Sequence, residues 1–365
     1  MCVGAAELFT PKAANGSTAC CNPADHLLSC VGGEVNADIL FTGQDISING
    51  VKLSFSNPIE PHGKVYKNEL GDESIINHSN KTGDILGTLN THDGHSYELE
   101  KCEDNYILKE FDVDSFPPDI HIINDEETAV GSSTRQTRSV NSSRNRSISV
   151  MFYYTPDFAN APQFNGDTEK IAQWIDEILD KTNQGFVNSR IPLVLTKFCQ
   201  EKATINDQQK PVLSSFRRMK GSIEALRNTS DLAALLVDSF DVCGIADFPG
   251  SLSVTRRDCA EGGPVFAHEI GHNLGADHNK EQGKNIHHDD GHGHFIRGGY
   301  RTIMAYCKPG YNKWINYFSN PEVSYLGSPT GVYGEANNAA VIMKNIDKFA
   351  SYGDESGTCR DTQSK

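Results

Sequence analysis

The stretch "FAHEIGHNLGADHNK", residues 266–280, sets histidines at 268, 272 and 278, a glutamate at 269 and a glycine at 275. Two histidines four residues apart lie on one helix face about a turn apart, so both imidazoles can reach one ion. Glu269 follows the first of them and can stand beside the ion, as a general base toward water must. Gly275 predicts the end of the helix, in a left-handed conformation that glycine adopts cheaply. That turn brings His278 back as a third ligand. Three neutral imidazoles leave the fourth position of a tetrahedral Zn2+ open to water, the catalytic rather than the structural arrangement. A fold for this chain must therefore hold a helix through 268–272 and return the chain over its own end within a few residues.

The rest of the chain divides by pattern. Its 365 residues suit two domains. Residues 1–123 alternate short apolar runs with turn signals, such as Asn49-Gly50 and Asp93-Gly94, and read as a small β-rich domain. Residues 124–147, "NDEETAVGSSTRQTRSVNSSRNRS", have the composition of a polar linker. Arg135 and Arg138, then Arg144 and Arg146, make this stretch either a solvated hinge or a site for a processing protease cutting at Arg138 or Arg146. From 148 to 353 helices and strands alternate, so the fold class is α/β (α+β). "SISVMFYYT" and "IPLVLTKF" read as strands. "DTEKIAQWIDEILDKTNQGFVNSR" is an amphipathic helix with Ile171, Trp174, Ile175, Ile178 and Leu179 on one face. "PVLSSFRRMKGSIEALRN" predicts a second helix, "SDLAALLVDSF" is apolar enough for a buried strand although its periodicity also allows a helix, and "EANNAAVIMKNIDKFASYG" predicts a helix ended by Gly353. Residues 354–365 form a tail.

Ten cysteines with no CxxC pair exclude a zinc ribbon or thioredoxin-like site and point to disulfides in an oxidising compartment. N-x-[ST] sequons at Asn15, Asn77, Asn80, Asn141, Asn145 and Asn228 agree with secretion. The first residues, "MCVGAAELFTPKAANGSTACC", lack the basic and apolar regions of a signal peptide, so a secreted protein implies an incomplete N-terminus. The formal net charge of −15 argues against a general nucleic-acid or membrane-surface binder. No stretch approaches the ~20 apolar residues of a membrane span.

The extended pattern HExxHxxGxxH resembles that of the metzincin clan of zinc endopeptidases. "HEIGHNLGADH", the preceding "SDLAALLVDSFDVCGIA" and the later "YFSNPEVSYLGSPTGV" are most similar to its reprolysin-like group, the branch containing peptidyl-Asp metalloendopeptidases and adamalysin-type domains, over roughly residues 147–352. The resemblance implies a metzincin-like catalytic domain with a twisted mixed sheet, a long zinc-binding helix and a Met-turn, preceded by a small β-rich prodomain. It implies zinc held by His268, His272 and His278, Glu269 as general base, and protein or peptide substrates. "RTIMAYC" supplies Met304 as the apolar floor of the metal site. Tyr306, two residues on, resembles the tyrosine that in astacins and serralysins stabilises the oxyanion; the alternative is a rim or core tyrosine. Adamalysin-type enzymes follow the third histidine with aspartate, whereas this chain has Asn279, which puts an ionic contact to the Met-turn in doubt.

Three features stay open at this level. "NIHHDDGHGHF" sets His287, His288, His292 and His294 beside Asp289 and Asp290, as a rim loop or a second metal site, and the spacing favours the loop. Cys102 is either an ordinary disulfide partner or, as in the resembling families, a thiolate on the open zinc position that keeps the enzyme latent. The resemblance to peptidyl-Asp metalloendopeptidases implies cleavage before aspartate, which requires a cationic pocket; Lys308 and Lys313 are either its walls or solvent-exposed residues. The competing function is a catalytically inactive metzincin fold used as a binding module; its signature, loss of Glu269 or a ligand, is absent. A metal-buffering protein has no use for Glu269, Gly275 and Met304 in register.

Overall fold

The computed structural model describes the chain outside residues 1–5, 13–19, 22–24, 37–39, 41–44, 49–50, 60–62, 68–72, 79–81, 91–94, 103–104, 113–114, 118–119, 124–145, 210–211, 220–229, 283–288 and 351–365. The N-terminal part is a closed nine-stranded barrel. Its strands are β1 (Ala6–Pro11), β2 (Leu27–Val35), β3 (Ile46–Ile48), β4 (Val51–Ile59), β5 (Gly63–Lys67), β6 (Glu73–His78), β7 (Ile85–Asn90), β8 (Ser96–Cys102) and β9 (Asn105–Phe111). Neighbours are antiparallel except where β1 meets β3, and that parallel contact closes the ring. The period-2 pattern turns Leu8, Ile46, Ile48, Leu53, Ile85, Leu89, Leu99 and Leu108 into a common core. Closure leaves no open sheet edge, which the sequence reading did not anticipate.

The second part is built on a six-stranded sheet. With β10 (Ile120–Ile123), β11 (Arg146–Tyr154), β12 (Leu193–Lys202), β13 (Leu232–Val237), β14 (Gly244–Phe248) and β15 (Leu252–Arg256), the order is β10-β14-β15-β13-β11-β12. Every pairing is parallel except β14 with β15, so the sheet is mixed. β11 shows how both faces are filled: Ile148, Val150 and Phe152 join one core, and Met151 and Tyr153 the other. β13 is buried along its whole length on both faces, which is why "LAALLV" carries no alternation. β10 comes from the N-terminal side of the linker yet lies on the outer edge of β14.

The long helix Thr168–Asn188 packs Ile171, Trp174, Ile175 and Ile178 onto the first core, and Asp167 caps it by accepting from the backbone N–H groups of Glu169 and Lys170. The helix with His268 and His272 is only nine residues, Val265–Asn273, so the long helix of the domain is a different one. Helix Asn338–Phe349 closes the chain against the same core, and Gly353 lies outside the described residues. The described part of the second expected helix is Val212–Arg218.

Disulfides join Cys20 to Cys102, Cys21 to Cys30 and Cys243 to Cys259, and Cys199 is disulfide-bonded as well. Cys102 is thus a buried barrel disulfide and no thiolate switch. The Cys20 side chain occupies its sulfur, so the latency reading of Cys102 is corrected. Asn77 is also unlike a glycan acceptor, since its side chain is buried in β6. The other five sequon asparagines, Arg135, Arg138 and Arg144 lie outside the described residues.

Candidate active site

The histidine helix begins directly after Gly263-Pro264 and ends where Leu274 caps it by donating to the carbonyls of Ile270 and His272. Gly275 follows at φ +88°, and a Cβ there would meet Asn345 Nδ2 at 2.6 Å. Any other residue is doubly disfavoured, by backbone strain and by lack of space. The reversal returns His278 over the helix end. His278 Nε2 then stands 3.1 Å from His268 Nε2 and 2.9 Å from His272 Nε2, and all three rings are buried.

The distal nitrogens decide what such a cluster accepts. His268 Nδ1 lies 2.9 Å from the carbonyl of Ile303, and His272 Nδ1 lies 2.9 Å from that of Ala276. A carbonyl accepts only, so both Nδ1 atoms carry the hydrogen and both Nε2 atoms present lone pairs. Two buried lone pairs converge on a third imidazole nitrogen, an arrangement that a cation held among them would satisfy. The donor set of three neutral imidazoles, oriented by backbone carbonyls, fits a borderline-soft divalent ion such as Zn2+.

Glu269 is fully buried beside this cluster. β14 brings Gly244 so close that a Cβ added there would meet Glu269 Oε1 at 2.2 Å. Glycine at 244 is therefore what leaves the carboxylate room. Met304 is buried under the helix: a Cβ on Gly271 would meet its Sδ at 2.4 Å. Gly271 lies between His268 and His272, so the thioether packs beneath the two helical histidines. Tyr306 stands over His278, ring centroids 3.9 Å apart, and is parallel to the His268 ring at 6.2 Å. Asn279 accepts from the Tyr306 backbone N–H at 3.1 Å and donates to Glu281 at 2.9 Å, which holds the Glu281 carboxyl below its usual range. A neutral amide thus makes the tie between the third histidine and the turn at 304 that the sequence left in doubt.

The histidine-rich loop resolves in part. His292 is fully buried and donates from Nδ1 to the His278 carbonyl at 2.8 Å. It braces the third histidine from behind, a role that spacing gave no sign of. Burial pushes the His294 imidazole pKa down. His287 and His288 lie outside the described residues. Lys308 is exposed over the Phe295 and Tyr311 rings, and Lys313 sits over Tyr300. The buried cation of this segment is Arg301, which stacks on Trp314 at 3.7 Å and donates to the Ala305 carbonyl. Sequence reasoning passed over it because burial of an arginine has no local signature.

The profile of metallo-peptidase family M12 (Reprolysin_5) matches residues 144–319, the span that holds the cluster. A peptidyl-Asp metalloendopeptidase of Pseudomonas fragi is 30% identical over 164 residues, 44% of this chain and 97% of its own length. The chain belongs to the M12 family of metallopeptidases. Two further relatives carry the same description. The Stenotrophomonas maltophilia (strain R551-3) protein is 28% identical over 315 residues, 78% of this chain and 72% of that protein. The Xanthomonas campestris protein is 32% identical over 187 residues, 47% of this chain and 45% of that protein. As an M12 member the chain is a metal-dependent metalloendopeptidase acting on protein or peptide substrates. No helix among the described residues of this M12 peptidase is long and apolar enough to cross a membrane.

Proposed function

We propose that this chain is a secreted zinc endopeptidase made as a latent precursor, with His268, His272 and His278 holding the ion and Glu269 as general base. The observation that carries the reading is the convergence of three buried imidazole nitrogens within 4.8 Å of one another beside a buried carboxylate. Zinc bound there supplies Lewis acidity toward water and the scissile carbonyl. Glu269 takes a proton from the attacking water and delivers it to the leaving amine, a transfer worth typically 10²–10⁴-fold. Tyr306 donates its phenolic hydrogen to the developing oxyanion. Met304 keeps the underside of the site apolar and dry, and Asn279 holds the turn that carries both residues. No covalent enzyme intermediate is required.

Latency is supported by β10. A substrate peptide commonly adds as a strand to an exposed sheet edge. Here Ile120–Ile123 occupies the edge of β14, the strand whose Gly244 abuts Glu269. The segment lies just before the linker, so cutting at Arg138 or Arg146 separates it from the catalytic part. The disulfides favour an oxidising, extracellular setting. The relatives' description supports cleavage beside aspartate, with Lys308 and Lys313 as the candidate basic groups.

The test is a peptide library digested by the zinc-loaded protein after its linker has been cut, and by Glu269→Gln cut in the same way, read by mass spectrometry alongside bound zinc. The reading requires cleavage that vanishes in the variant while zinc stays bound. Zinc-bound, folded protein without hydrolysis overturns it in favour of a binding module. Cuts before bulky apolar residues remove the aspartate preference alone.

A further inference from the structure

The barrel and the peptidase part meet through ionisable groups that are out of contact with water. From the barrel come Asp25, Glu98 and Glu100 on β8, and Lys109 on β9; from the other side come Glu177 and Lys181 on the long helix, and Arg257 and Glu261 on helix Arg257–Gly262. All eight are buried, whereas Asp238, which also pairs with Arg257, keeps a quarter of its side chain exposed. Lys109 pairs with Glu100 at 2.8 Å and lies 3.9 Å from Glu261 and 4.0 Å from Asp25. Arg257 pairs with Asp25 at 2.8 Å and Glu261 at 2.9 Å. Lys181 donates to the carbonyls of Ala260 and Glu261. Five carboxylates against three cations leaves two negative charges over in the buried set.

The excess concentrates where no cation makes direct contact. Thr88 on β7 donates its single hydroxyl hydrogen toward both Glu98, at 3.0 Å, and Glu177, at 3.1 Å. One hydroxyl hydrogen cannot serve two carboxylates, and two buried carboxylates side by side are unstable unless a proton lies between them. The groups facing this pair are Thr88 from β7, Lys181 and Asp180 from the long helix, and Glu261 from helix Arg257–Gly262.

We propose that the barrel docks on the face formed by the long helix and helix Arg257–Gly262 through a proton shared by Glu98 and Glu177, so that rising pH releases it. Burial, then the neighbouring Glu177, pushes the Glu98 carboxyl well up; burial pushes Glu177 up to about 7 against the pull of Lys181. Burial would also raise Glu261, but Arg257 and Lys109 outweigh it and hold that carboxyl low, so it stays ionised. Asp180 is pushed up to about 7 by burial and by Asp176 and Glu177, in the same direction as the pair. Carboxyls raised in the docked state give docking that is strongest at low pH, weakening from about pH 4.5 upward through the docked values. Each proton released weakens docking about tenfold per pH unit across that window. Undocking loosens the anchor of β10, and the consequence for latency rests on the proposed function; the proton linkage does not.

The experiment is hydrogen exchange by mass spectrometry on the full-length chain carrying Glu269→Gln, so that it remains uncut, from pH 5.5 to 8.5 with intrinsic rates corrected. The proposal requires opening at β8 and at helix Arg257–Gly262 to rise about 10²-fold between pH 5.5 and 7.5, while β13 stays level. Adding Glu98→Gln, which keeps size and hydrogen bonding but releases no proton, lowers the slope by one proton; Glu177→Gln does the same from the other side. A flat interface profile, a slope shared by β13, or variants with the full slope overturns the proposal. Should Glu98→Gln fail to fold, Glu177→Gln and the unsubstituted profile still decide. Exchange reads docking without zinc or hydrolysis, so failure of the peptidase reading is seen separately in the peptide library.

Discussion

Replacing Gly244 by alanine tests the geometry of the proposed general base without touching a ligand. The added Cβ would stand 2.2 Å from Oε1, 2.5 Å from Cδ and 2.7 Å from Cγ of Glu269. Non-bonded heavy atoms settle at about 3.5–4.0 Å, so the carboxylate must retreat by roughly 1 Å. It is fully buried, with the histidine helix behind it, and has no solvent to move into. The backbone at 244 is outside the left-handed region, so alanine suits the strand and the damage falls on the carboxylate. A displacement of about 1 Å at a reacting group costs roughly 10²-fold in rate, equivalent to about 2.7 kcal/mol of barrier. Activity should therefore fall by about that factor in kcat, with KM little changed and zinc content equal to wild type, approaching the floor set by Glu269→Gln. The assay is steady-state hydrolysis of a quenched peptide with metal content measured on the same sample. Activity within threefold of wild type refutes the argument, and loss of zinc refutes its claim to act on the carboxylate alone.

Gly271→Ala should overpack Met304, whose Sδ would lie 2.4 Å from the new Cβ, costing about 1–3 kcal/mol and lowering Tm by roughly 3–10 °C in calorimetry. In a double-mutant cycle with Met304→Ala the combined loss should be less than the sum of the two single losses, and additivity would remove the proposed contact. Asn279→Ala leaves the Tyr306 N–H without its acceptor and should destabilise by about 1–3 kcal/mol in urea unfolding, while Asn279→Asp, which keeps an acceptor oxygen, should be milder. Opening the Cys20–Cys102 bridge with Cys102→Ser should cost the barrel about 2–5 kcal/mol with no gain in peptidase activity at pH values where the barrel is docked. Activation without loss of stability would restore a thiol switch. Stripping the metal with a chelator should lower Tm reversibly, because an ion bound by the folded cluster and not by the unfolded chain stabilises the fold by mass action.

The histidine cluster was legible in sequence because its geometry is local. The i, i+4 spacing of His268 and His272, and a glycine that can take φ +88°, bring three imidazoles together within eleven residues, wherever the helix sits. The long helix was legible for the same reason, since its apolar face is read within a few turns. Near-alternation also marked β11, and short apolar runs marked β12 and β13. What needed tertiary structure was everything set by contacts between distant segments. Ring closure of the barrel depends on β1 meeting β3 in parallel, and strand patterns carry no sign of which partner a strand chooses. Cysteine parity allowed Cys102 a free thiol, and only the approach of Cys20 removed it. Gly244 matters because β14 passes the Glu269 carboxylate, and β10 matters because it lies against β14. The Glu98–Glu177 contact joins residues 79 positions apart, one on a barrel strand and one on a helix. Glutamates in such positions read as solvated faces until the fold buries them against each other, because desolvation is a property of packing and not of spacing.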